Sequence, residues 1–185
     1  MERVQKADDI SRLKESFQRV CKKSDPFGNP FQETLNEKVL IFPTNGYYLQ
    51  ENQFHALMKS IEQVGQGTFF VSESEGDSFN LSQDFHSELA PQHWVVESTI
   101  SYEDYQSMPL VVENSLYSPQ GEWGLQISHE DHAILAGNSL FIDTFKEAYP
   151  EWKEYKEKFL QYWVGANKEF STDITWVHDF LKHYK

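Results

Sequence analysis

Leu110-Val111-Val112-Glu113-Asn114-Ser115-Leu116-Tyr117, Trp123-Gly124-Leu125-Gln126-Ile127-Ser128 and Ala133-Ile134-Leu135-Ala136 are three strand-like runs, and their spacing decides the fold. In the first, Leu110, Val112 and Leu116 alternate with Glu113 and Ser115, while Val111 and Tyr117 make the second face partly apolar. Trp123, Leu125 and Ile127 alternate with Gly124, Gln126 and Ser128, which is the period of a half-buried strand. Ser118-Pro119-Gln120-Gly121 places Pro at i+1 and Gly at i+3 of a turn, and His129-Glu130-Asp131 reverses the chain again. Three strands joined by two short turns form an antiparallel meander.

Upstream of the meander, Val39-Leu40-Ile41-Phe42 reads as a short buried strand, closed by the turn Pro43-Thr44-Asn45-Gly46. A helix is predicted over 51–64 from Phe54, Leu57, Met58, Ile61 and Val64, with Gly65 just past its end. Thr68-Phe69-Phe70-Val71 and His93-Trp94-Val95-Val96 are further strands, and residues 72–91 between them read as a long acidic loop. Ile10, Leu13, Phe17 and Val20 give the N-terminal region one apolar helical stripe, with Asp8 or Asp9 as the expected N-cap and an end near Lys22. Two prolines and a glycine in Asp25-Pro26-Phe27-Gly28-Asn29-Pro30 exclude helix and central strand there. After Gly137, Asn138 or Ser139 caps a helix bearing Phe141, Ile142 and Phe145. Pro150 opens another, which carries Trp152, Tyr155, Phe159, Tyr162 and Trp163, and a last helix starts near Thr172. The 3–4 spacing of those aromatics is a core-facing stripe rather than a stacking platform.

The expected class is therefore α+β: a central antiparallel sheet with a meander, and helices at both chain ends. The 185 residues form one domain, with a helical N-terminus over 1–38, an acidic and mainly β middle over 39–137, and a helical C-terminus over 138–185. That length buries a core without staples, and Cys21, the sole cysteine, excludes an intrachain disulfide and a cysteine-based zinc site. No apolar leader follows Met1 and no run reaches the roughly 18 apolar residues of a membrane span, so a cytoplasmic location is expected.

Sixteen basic against 29 acidic side chains give a net charge of −13, which argues against nucleic acid and anionic membrane as partners. The imbalance is local. Residues 39–145 hold one basic residue, Lys59, against 15 acidic ones, whereas residues 1–38 hold 8 and 7 and residues 146–185 hold 7 of each. Acidic surface keeps many proteins soluble, and it also steers encounter with cationic proteins. On the second reading, Glu73, Glu75, Asp77, Asp84 and Glu88 of the long loop, with Glu103 and Asp104, are the partner-binding residues. No catalytic residue, metal ligand or cofactor is assigned on that reading. Phosphate-cradling glycine motifs and calcium-loop spacing are missing from the chain.

His129-Glu130-Asp131-His132 is the sharpest local cluster, since two imidazoles and two carboxylates on one turn could ligate a metal. A zincin helix has one more residue between its histidines, so the cluster reads either as a polar turn or as the centre of a metal-dependent hydrolase. Finally, Tyr117-Ser118-Pro119, Gly121, Trp123-Gly124-Leu125, Ile127 to Asp131, Ala133-Ile134-Leu135, Gly137, Phe141 and Phe145 together resemble a block recurring in small bacterial cytosolic proteins. At a coarser level the chain resembles the acidic immunity proteins that protect bacteria from polymorphic toxins. That resemblance implies an α+β domain that binds and blocks a toxin domain without catalysis of its own, and it transfers no individual residue.

Overall fold

A computed structural model describes residues 1–4, 6–73 and 92–184. Among these residues seven strands make one antiparallel sheet: β1 (Glu2–Arg3), β2 (Glu37–Ile41), β3 (Thr68–Glu73), β4 (His93–Glu97), β5 (Asn114–Tyr117), β6 (Trp123–Ile127) and β7 (Ala133–Gly137). Their spatial order is β1-β4-β3-β5-β6-β7-β2. The meander β5-β6-β7 forms its centre, with Leu116 opposite Leu125 and Leu125 opposite Leu135. Among the described residues six α-helices surround it: α1 (Ala7–Val20), α2 (Glu51–Gln63), α3 (Tyr102–Gln106), α4 (Ser139–Ala148), α5 (Tyr155–Phe170) and α6 (Thr175–Leu181). The fold is α+β, with helices at both ends of the chain. No helix among the described residues is long and apolar enough to cross a membrane.

Both faces of the sheet are covered. On one, α2 and α4 pack together, and the Trp123 indole stacks on Phe141 with centroids 5.1 Å apart and planes 7° from parallel. On the other, α1 lays Leu13, Phe17 and Val20 against β5 and β6, where Phe17 meets Tyr117 edge-on at 5.5 Å. The segment after α1 continues this cover. Gln126 Nε2 donates to the Cys21 sulfur at 3.4 Å and to the Lys23 carbonyl at 3.0 Å, and its Oε1 accepts the Asp25 N–H at 2.9 Å. Strand β6 is consequently buried on both faces rather than half-buried, because the face carrying Gly124 and Gln126 meets protein where solvent was expected.

Several boundaries shift for physical reasons. Lys6, not Asp8 or Asp9, occupies the N-cap of α1, and the two aspartates sit in its first turn, where the helix dipole favours them. Residues 1–38 are not wholly helical, since β1 joins the sheet beside β4 and β2 begins at Glu37. Residues 110–113 precede β5 instead of opening it, and Val111 is exposed. Asn138 caps α4 as expected, its Oδ1 accepting the Phe141 N–H at 2.9 Å. Pro150 starts a five-residue 3₁₀ helix that leads into α5, and α6 starts at Thr175.

Candidate functional site

The acidic residues of the middle segment separate into three groups. Glu73 is the last residue of β3 and only 3% exposed. Its Oε2 accepts the Gln92 N–H and its Oε1 accepts the Val111 N–H, each at 3.0 Å, so the carboxylate ties the base of the β3–β4 connection to the approach to β5. Burial pushes this carboxyl above the usual carboxylate range, while the two amides and Arg3 pull it back. Glu75, Asp77, Asp84 and Glu88 lie outside the described residues.

Glu103 and Asp104 stand exposed in the first turn of α3. Ser101 caps this short helix. Its Oγ accepts the Asp104 N–H at 3.0 Å and donates to Asp104 Oδ2 at 2.7 Å. Two tyrosines hold the helix to the start of α2: the Tyr105 hydroxyl accepts the Leu49 N–H at 3.1 Å, and Tyr102 donates to the Leu49 carbonyl at 3.0 Å. The Tyr105 ring stacks on Phe54 at 4.7 Å. Asp104 thereby lines a shallow depression of about 360 Å³ with Glu97, Thr99, Ile100 and Ser107, and the N-terminal Met1 closes it. Among the described residues no lysine or arginine lines that depression. The serine three residues ahead of an aspartate, followed by tyrosines at i and i+3, is the signal in the sequence that marks α3.

The histidine turn places its two rings in different surroundings. His129 is at the surface, with Nδ1 2.8 Å from Glu113 Oε1 and Nε2 3.5 Å from Glu130 Oε1. His132 is fully buried, with Nε2 2.9 Å from the Pro26 carbonyl and Nδ1 3.4 Å from the Glu130 carbonyl. Phe27, Phe159 and Phe180 pack edge-on around its ring. Desolvation holds that imidazole down, at about 4, against the opposing pull of the two carbonyls. Both His132 nitrogens therefore face backbone oxygens, and the turn does not present two free imidazoles to one ion. Among the described residues no three His, Cys, Asp or Glu side chains are grouped to hold a metal. Cys21 is buried too, and burial pushes its thiol up, away from the reactive thiolate.

One constellation has no counterpart in the sequence reading. His93, Ser72, Ser115 and Gln126 are directly opposed neighbours on four adjacent strands, and all four are buried. Ser72 Oγ lies 2.8 Å from both His93 Nδ1 and the Tyr117 hydroxyl, and Tyr117 in turn reaches the Leu13 carbonyl of α1. Desolvation holds His93 down to about 4, so it is neutral near pH 7. The row lies under α1 with no surface access, which suits it to fixing the helix rather than to reacting with a substrate. Period-2 reading misses such a row because its members are far apart in sequence and each resembles an ordinary solvent-face residue. Comparison with known protein families, with curated proteins and with solved structures finds no match to this chain.

Proposed function

We propose that this chain is a non-catalytic binding protein, an immunity-type inhibitor that engages a cationic protein partner through its acidic middle segment. The observation that carries the reading is the depression lined by Glu97 and Asp104, with exposed Glu103 next to Asp104 on α3 and no lysine or arginine among the described residues that line it. A surface of one sign raises the encounter rate with a partner of the other and penalises like-charged competitors. A nuclease toxin domain, whose own surface holds phosphate, supplies the cationic chemistry required. The buried nucleophile and bases (Cys21, Ser72, His93 and His132) are each held by neighbours within the core, and this favours binding over catalysis.

The reading divides the acidic residues by role. Glu103 and Asp104, with Glu75, Asp77, Asp84 and Glu88, are assigned to the partner, and Glu73 to holding the sheet together. The test is capture from the native cell on the intact chain and on a Glu75→Lys, Asp77→Lys, Glu103→Lys, Asp104→Lys variant. A basic protein retained by the first, released by moderate salt and lost from the second supports the assignment. Equal retention by both chains, or an association rate insensitive to ionic strength, refutes it.

A further inference from the structure

One row of directly opposed residues, Glu2, Val95, Phe70 and Tyr117, crosses the sheet from its β1 edge towards α1. Phe17 of α1 closes over Tyr117, which is buried, whereas Phe70 and Val95 beside it are only half-buried. The space left between them and the start of the helix is a cleft of about 410 Å³, which Leu13 of α1 and Val4 also line. That volume falls within the roughly 300–1,000 Å³ of small-molecule sites.

Alternation along β1 decides which of its side chains face the cleft. Glu2 shares the face of Val95 and Phe70, whereas Arg3 lies opposite Trp94 and projects to the other face with Val71. The start of α1 adds Lys6, Asp9 and Arg12, spaced three residues apart and so along one side of the helix. The rim is therefore two cations, Lys6 and Arg12, and two carboxylates, Glu2 and Asp9, and it is neutral as a whole. None of the ion pairs among the described residues involves any of these four. Asp9 and Arg12 are neighbours on the helix surface, in the order that suits pairing, and do not pair with each other.

We propose that this cleft binds a free α-amino acid with an apolar side chain, its carboxylate on Arg12, its ammonium on Asp9 and its side chain over Phe70, Val95 and Leu13. A neutral rim that presents both signs matches a ligand that is neutral and carries both. A simple anion or cation meets as much repulsion there as attraction. The two charges of an α-amino acid sit on one carbon, which suits partners a single helical turn apart. The guanidinium of Arg12 matches the two carboxylate oxygens better than the ammonium of Lys6 does, which leaves Lys6 and Glu2 as peripheral charges. The floor selects the side chain, because covering Phe70 and Val95 with hydrocarbon removes their remaining contact with water. The cleft shares no lining residue with the depression around Asp104, so the proposal stands or falls independently of the acidic surface.

L-leucine is the probe, titrated calorimetrically into the intact chain at neutral pH. Three comparison compounds each remove one feature. N-acetyl-L-leucine lacks the ammonium and L-leucinamide lacks the carboxylate. 6-Aminohexanoate, an isomer of leucine, keeps both charges but separates them and has no free apolar side chain. The expected result is saturable one-to-one binding of leucine, with each comparison compound roughly tenfold weaker or worse. Asp9→Asn and Arg12→Gln should each weaken leucine roughly tenfold, with far-UV circular dichroism unchanged because neither side chain is buried. Lys14→Ala, on the same helix and outside the cleft, should bind as the parent does. No saturable leucine binding in the millimolar range, a comparison compound binding as tightly as leucine, or full leucine affinity in the variant carrying both Asp9→Asn and Arg12→Gln overturns the proposal.

Discussion

Replacing Gly124 by alanine adds one methyl group where α1 packs closely on the sheet, and the structure fixes what that group meets. A Cβ at position 124 would lie 2.2 Å from Val20 Cγ1, with Phe31 at 3.5 Å and Val20 Cβ at 3.6 Å. Restoring an ordinary carbon contact takes a displacement of about 1.3 Å. The neighbour is poorly placed to give way: Val20 is completely buried, β-branched and in the last turn of a helix, where its χ1 is restricted. Ile10, Leu13 and Phe17 on the same stripe hold α1 against the sheet, so the helix cannot retreat as a unit without uncovering them. Overpacking of this kind costs about 1–3 kcal/mol. For a chain of this length that is a fall of about 2–12 °C in thermal midpoint.

Urea unfolding followed by tryptophan fluorescence should show a lower midpoint for Gly124→Ala at an unchanged slope. Two companions isolate the cause. Gly165→Ala makes the same chemical change in the middle of α5, where an added Cβ meets nothing within 4 Å, and should stabilise by about 0.5–1 kcal/mol. Val20→Ala combined with Gly124→Ala should be more stable than the sum of the two single changes by about 1 kcal/mol or more, because the collision is then gone. Gly124→Ala within about 0.5 kcal/mol of the parent, or strict additivity with Val20→Ala, refutes this account of how α1 docks.

Burial holds His93 and His132 down to about 4, and the unfolded chain takes up those protons near the ordinary imidazole value of about 6.5. Stability should therefore be full above about pH 6.5 and fall as pH drops towards 4, each histidine contributing up to about 3 kcal/mol. Glu73, pushed up by burial, acts with the opposite sign over part of that range without cancelling two histidines. Urea midpoints measured from pH 7 to pH 4.5 check this: His132→Gln should flatten the profile, and a flat profile in the parent contradicts it. Glu73→Gln puts an amide N–H₂ opposite one of the two backbone donors, from Gln92 and Val111, that the carboxylate now satisfies. It should cost about 1–3 kcal/mol in unfolding experiments while leaving the salt dependence of partner binding as it was. A change in that salt dependence instead would return Glu73 to the interface.

The meander was readable because its cues are local: Ser118-Pro119-Gln120-Gly121 closes with the Gly121 N–H on the Ser118 carbonyl, and the flanking runs alternate. The helical stripes of α1, α2 and α4 were readable for the same reason. What escaped is set by pairing at a distance. Strand β1 is two residues whose strand character comes only from lying beside β4, and β2 closes the sheet against β7, almost a hundred positions later. The polarity of Gln126 marked a solvent face, yet it is the side chain that clamps the segment after α1. Proximity in sequence likewise grouped His129 with His132. Asp131 between them takes a positive φ of 53°, and the chain leaves it with one ring at the surface and the other in the core.

The fold accounts for where the charges of the middle segment sit, and not for their sign. Strands covered on both faces exclude charge, so the acidic residues collect at strand ends and turns: Glu97 at the end of β4, Glu113 before β5, Glu122 between β5 and β6, and Glu130 and Asp131 between β6 and β7. Burial excludes lysine as firmly as glutamate, and an exposed turn accepts either. Solubility is met by charge of either sign. A segment whose exposed positions were filled only to satisfy folding and solubility would carry both, as α1 and α5 do. The choice of acid at nearly every such position is the part of the sequence that the sheet does not require, and it is the part assigned above to the proposed cationic partner.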